Sequence, residues 1–130
     1  MHYMLVLVLY VITCVGCAPI HRSDAKIDHV LHSQFDIDDS IQSVITRVVN
    51  KKSECRTPIF PENIITLEDM GEAHIEYRHS NFNLSIMFLI DLKRQDNKTR
   101  VDIYYTSRFP GGERAFRTLE YGAKNLPGCP

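Results

Sequence analysis

The chain has 130 residues, and its 15 Lys and Arg nearly balance its 16 Asp and Glu, for a formal net charge of −1. A basic bias is what nucleic acid or an anionic membrane surface would ask for, and the near balance argues against both. There is no internal repeat or low-complexity tract, and the length suits one domain.

The first element is an apolar run, Met4 to Val15, with no charged residue. At about twelve residues it falls short of the roughly twenty that a membrane-spanning helix needs. A run of this length at an N-terminus reads as the core of an export signal covering residues 1–16. Its end runs into the tetrad Cys14-Val15-Gly16-Cys17. This tetrad resembles the lipobox of bacterial lipoprotein precursors, with Gly16 before the acceptor Cys17. Cys14 stands where leucine is usual. The resemblance implies lipidation of Cys17, palmitate included, by acyl chains sufficient for stable anchoring. With Ala18 in the following position, it also implies retention at the outer membrane, on the periplasmic side. Ordinary signal-peptidase cleavage after Gly16, giving a soluble secreted protein, is the alternative.

Residues 17–35 are polar, with only scattered apolar positions such as Ile27, Val30 and Leu31. They read as a tether to a small α+β domain over residues 36–130. In that domain Ile41, Val44, Ile45, Val48 and Val49 recur at helical spacing, which predicts a helix over 39–51. Asp36, Asp38, Asp39 and Ser40 supply caps at its start. A loop set by Pro58 and Pro61 follows, then a short strand or helical turn over 64–70. Ala73, Ile75 and Tyr77 alternate with polar residues. Phe82, Leu84, Ile86, Phe88, Ile90 and Leu92 form a longer apolar face, and Val101, Ile103 and Tyr105 a third. The segment Gln95 to Lys98 is the turn of a hairpin. These patterns predict a three- to four-stranded antiparallel meander with one wet face. Beyond the break at Pro110-Gly111-Gly112, a second helix is predicted over 113–124, with Phe116, Leu119 and Ala123 on one side. Both helices belong on the apolar sheet face, making a two-layer α+β sandwich.

Four cysteines occur, at 14, 17, 55 and 129. In the lipoprotein reading Cys14 leaves with the signal and Cys17 carries the lipid. The remaining pair predicts a Cys55–Cys129 disulfide in an oxidising compartment.

Candidate sites are few. Arg108, Arg114 and Arg117 flank glycines at the start of the second helix and suggest a weak anion site. His29 and His32 are three apart and would share a metal only on a helix. Glu72, His74 and Glu76 lie on one strand face with Asp102 within possible reach, a carboxylate-histidine set of the kind used in acid-base work. A solvated polar face explains it equally. No GxSxG, HExxH or P-loop pattern occurs, so no cofactor, no metal and no enzyme activity are expected. Met87, Leu89 and Tyr104 fall on the polar side of the sheet, where, unless the segment around Ile64 covers them, they would form an exposed apolar patch fit for a protein partner. The segments Asn83-Leu84-Ser85 and Asn97-Lys98-Thr99 are sequons that leave a eukaryotic secreted origin open. The leading expectation is a lipid-anchored accessory protein of an envelope, secretion or pilus assembly. An inhibitor or immunity protein is the alternative, and a small secreted enzyme comes third.

Overall fold

The computed structural model describes residues 30–57, 62–78, 86–105 and 112–130. The signal segment, Cys14 and Cys17, most of the tether, the Pro58–Pro61 loop, Asn83 and Arg108 lie outside the described residues. Eight elements follow one another: strand β1 (Val30–Ile37), helix α1 (Ile41–Glu54), strand β2 (Glu62–Leu67), a 3-10 turn (Glu68–Met70), strands β3 (Glu72–Arg78), β4 (Ile86–Gln95) and β5 (Lys98–Tyr105), and helix α2 (Gly112–Ala123). The strands form one antiparallel sheet in the order β1-β5-β4-β3-β2. The fold is α+β, with both helices on one face.

Helix α1 begins where its cap allows. The Ser40 hydroxyl accepts from the Ser43 amide at 3.1 Å, and Lys51 and Lys52 occupy the last turn. Its stripe is buried at Val44, Ile45 and Val48, and these residues join the inward residues of β3, β4 and β5 and of α2 in one core. Within that core Phe88, Tyr105 and Phe116 stack in sequence, at centroid separations of 5.7 and 5.3 Å. The Arg47 guanidinium donates to the carbonyls of Gly122 and Ala123 at 3.3 and 3.1 Å, satisfying the open end of α2. It also pairs with Asp39 at 3.0 Å. Cys55 and Cys129 are joined by a disulfide, with their α-carbons 5.6 Å apart, which ties the end of α1 to the C-terminal tail.

Two buried phenols stand apart. Tyr77 is fully buried, and its hydroxyl has no hydrogen-bond partner among the described residues. Burial, reinforced by the neighbouring Glu62 carboxylate, pushes its ionisation far above the ordinary tyrosine value. Tyr105 donates to Glu113 at 2.8 Å. That bond, then burial and the charge of Glu113, raises its ionisation against a smaller opposing effect of Arg117.

Two expectations need correcting. The stretch read as tether over 17–35 ends inside the sheet, because Val30–Phe35 belong to β1, the fifth strand. This strand is an edge, its register shifts between Leu31 and Ser33, and only Phe35 and Ile37 of its described side chains pack on the core. Ser33, on the same face, donates to Glu120 of α2. Half a strand of apolar residues and a bulge leave little alternation to read.

The second correction concerns β4. Tyr77 pairs with Phe88 and Arg78 with Ile86, so Met87 is the extra residue of a bulge. The bulge slips the alternation by one. Met87, expected on the outer side, joins the main core at 9% exposure, and Ile86, expected inside, moves to the outer face beside Leu89.

Candidate functional site on the outer face of the sheet

The face away from the helices is assembled by register. Residues paired directly across antiparallel strands share a face. Because Ala73, Ile75 and Tyr77 point into the core, Glu72, His74 and Glu76 point outward, as the sequence pattern requires. One cross-strand row holds Ile65, His74, Asp91 and Asp102. The next holds Asn63, Glu76, Leu89 and Tyr104.

His74 is the centre of the first row. Its Nδ1 lies 2.6 Å from Asp91 Oδ1, with side-chain exposures of 5% and 12%. Opposite a carboxylate, which accepts only when ionised, Nδ1 is positioned to donate. Nε2 is buried and has no hydrogen-bond partner among the described residues. Asp91 was not anticipated as the partner, since it is 17 residues away in sequence and only the β3–β4 register brings it there.

The other carboxylates have separate partners. Glu76 accepts from Asn63 at 3.2 Å and from Arg78 at 2.9 Å, and it is almost fully buried. Glu72 faces Lys93 at 3.6 Å. Asp102, in the same row as His74 but beyond Asp91, lies 3.5 Å from Arg100, which also reaches Asp36. Glu72, His74 and Glu76 therefore form three distinct pairs rather than one converging set. Among the described residues, no group of three or more His, Cys, Asp and Glu is arranged to hold a metal ion. His32 lies in strand β1 rather than on a helix, and His29 lies outside the described residues.

The apolar candidates divide. Leu89 and Tyr104 are directly opposite and pack with Ile86. Leu89 and Ile86 are fully buried, Tyr104 is half-buried, and Met87 is on the other side of the sheet. An exposed patch of Met87, Leu89 and Tyr104 is therefore not present. Of the arginine set, Arg108 lies outside the described residues, Arg117 pairs with Glu113 at 3.2 Å in the first turns of α2, and Arg114 is exposed. A carboxylate already occupies the positive end of that helix.

The sequence reading missed the surface at β2. Of the exposed large hydrophobic residues among those described, Ile64 at 42% and Met70 at 64% lie on β2 and on the 3-10 turn that follows it. A shallow concavity of about 410 Å³ at this end is lined by Thr66, Leu67, Glu68, Asp69 and Met70. The only sequence cue was the ambiguity of 64–70, which contains both a strand and a helical turn.

These features define a small disulfide-linked α+β domain with an ionic, closed outer face. No protein-family model matches the chain, and no curated protein matches it.

Proposed function

We propose that the protein is a lipid-anchored lipoprotein of the bacterial outer membrane. It faces the periplasm, is held through Cys17, and acts as an accessory binding partner in an envelope, secretion or pilus assembly. The observation that carries this reading is the Cys55–Cys129 bond. Disulfides persist in oxidising compartments. A bonded pair at 55 and 129 accords with export and leaves Cys17 for lipid. Binding rather than catalysis is favoured by the allocation of the polar groups. His74 is committed to Asp91 with its second nitrogen enclosed, and Glu72 and Glu76 are each held by a cation.

Mass spectrometry of the mature N-terminus tests the anchor. The expected species begins at Cys17 and carries a diacylglyceryl mass, and Cys17→Ser moves the protein from the membrane to the soluble fraction. An intact Met1 sinks the export argument. Affinity capture from solubilised envelopes tests the partner: a stoichiometric envelope protein is expected, and its absence removes the accessory role.

A further inference from the structure

The described sheet has two edges, β1 and β2. An edge presents unpaired backbone donors and acceptors, and proteins usually guard it with bulges, charges or prolines. Strand β1 carries a bulge, between Leu31 and Ser33. Strand β2 reads Glu-Asn-Ile-Ile-Thr-Leu and pairs with β3 in unbroken register from Glu62 to Leu67. It contains no lysine or proline, and its one charge, Glu62, is bound by Lys52 at 2.7 Å. Ile64 stands exposed on it, and the concavity with Met70 opens at its C-terminal end. Glu68 and Asp69 line that concavity, and neither forms an ion pair among the described residues.

We propose that β2 is a docking edge for an extended segment of a protein partner. That segment adds antiparallel to the sheet, sets apolar side chains beside Ile64 and Met70, and brings a lysine or arginine at its N-terminal end to Glu68 and Asp69. Strand addition of this kind draws affinity from main-chain hydrogen bonds and specificity from pockets for alternate side chains. Charge decides between a basic partner and a second copy of this chain. A second copy pairing antiparallel through β2 has no lysine or arginine in the strand or in Pro58 to Pro61 just before it, its Lys52 is engaged by Glu62, and its Arg56 lies six residues ahead of Glu62, too far back to meet Glu68 and Asp69. The inference rests on the binding-partner reading above and assigns it a surface.

The test uses the full-length ¹⁵N-labelled protein in detergent micelles. The probe is a synthetic peptide, Lys-Lys-Val-Thr-Val-Thr-Val-Thr-Gly, with a control in which both lysines are glutamate. The expected result is amide shift changes confined to residues 62–70, with the control at least tenfold weaker. Ile64→Lys, at an exposed position, removes binding while the rest of the amide spectrum stays unchanged. The double variant Glu68→Lys/Asp69→Lys reverses the preference between the two peptides. Shifts elsewhere, equal affinity for both peptides, or no binding at all would overturn the proposal. So would sedimentation showing a dimer that Ile64→Lys converts to a monomer, because the occupant would then be a second copy. None of these outcomes bears on the lipid at Cys17 or on envelope capture, so failure here and failure of the anchored-partner reading are separable.

Discussion

Gly122 of α2 lies against Arg47 of α1 with no room for a side chain. A β-carbon built on Gly122 would meet the Arg47 carbonyl oxygen and the Val48 α-carbon, both at 2.9 Å. Those are backbone atoms and cannot swing aside. The same crossing lets the Arg47 side chain reach the last carbonyls of α2. Alanine is normally the better helix residue by about 1 kcal/mol. Here the overlap wins, because relieving it means separating two helices that share one core. Gly122→Ala is expected to destabilise the protein by about 2 kcal/mol, measured as a lowered midpoint in guanidinium unfolding. A gain in stability would show that the helices are not in this close contact.

The buried phenols make stability depend on alkaline pH. Tyr77 and Tyr105 both ionise above the ordinary tyrosine value in the folded protein. The unfolded chain therefore loses these protons first as pH rises. Their contribution is intact below pH ~10 and falls progressively above it. Tyr77→Phe removes a hydroxyl that has no hydrogen-bond partner among the described residues. It should leave stability at pH 7 unchanged or slightly higher, and it should flatten the alkaline loss. Tyr105→Phe removes a bond to Glu113 and should cost about 1 kcal/mol at pH 7. Unfolding curves at pH 7 and above pH 10 check both. A large loss from Tyr77→Phe at pH 7 would mean that its hydroxyl has an acceptor.

The Cys55–Cys129 bond closes a loop with a sequence separation of 74. Loop-closure entropy assigns it up to about 4 kcal/mol through the unfolded chain. That is large for a domain of this size, whose net stability falls in the usual range of about 5–15 kcal/mol. Reduction, or the double change Cys55→Ala/Cys129→Ala, is expected to lower the melting temperature by more than 10 °C. A shift of only a degree or two would show that the tail beyond α2 adds little constraint.

The parts of the fold legible in the sequence were those with a strong local period. The stripe of Val44, Ile45 and Val48 and the alternation of Ala73, Ile75 and Tyr77 identify their elements directly, and cysteine parity identifies the disulfide. What was hidden depends on pairing. Among its described side chains strand β1 has two core residues, and it carries a bulge, so its identity comes from β5 rather than from its own pattern. The bulge at Met87 is set by the fit of β3 to β4, and it exchanged the faces of Met87 and Ile86. His74 was legible as a candidate, but its partner Asp91 is fixed only by register. The face shared by Glu72, His74 and Glu76 was read correctly, whereas their division among Lys93, Asp91 and Arg78 could not be read along a single strand.

Substitutions on the outer face should act on folding before they act on binding, unlike those at the exposed β2 edge, where Ile64 pairs with Ile75 on the helix side of the sheet. Leu89 is fully buried against Ile86 and Tyr104, so Leu89→Asp places a carboxylate at a fully buried position and removes a packed side chain. The expected loss is at least 3 kcal/mol. Ile64→Asp, at an exposed edge position, should change stability by no more than about 0.5 kcal/mol. His74→Ala lies between them, because it strips Asp91 of the donor at Nδ1 and leaves a largely buried carboxylate short of a hydrogen bond, at about 1–3 kcal/mol. Urea unfolding of the three variants orders them. If Leu89→Asp were as harmless as Ile64→Asp, the outer face would be open to solvent and Leu89 would return as a candidate contact for a partner. If the predicted order holds, a partner lost with Leu89→Asp reports unfolding, and only the β2 variants report on the binding surface.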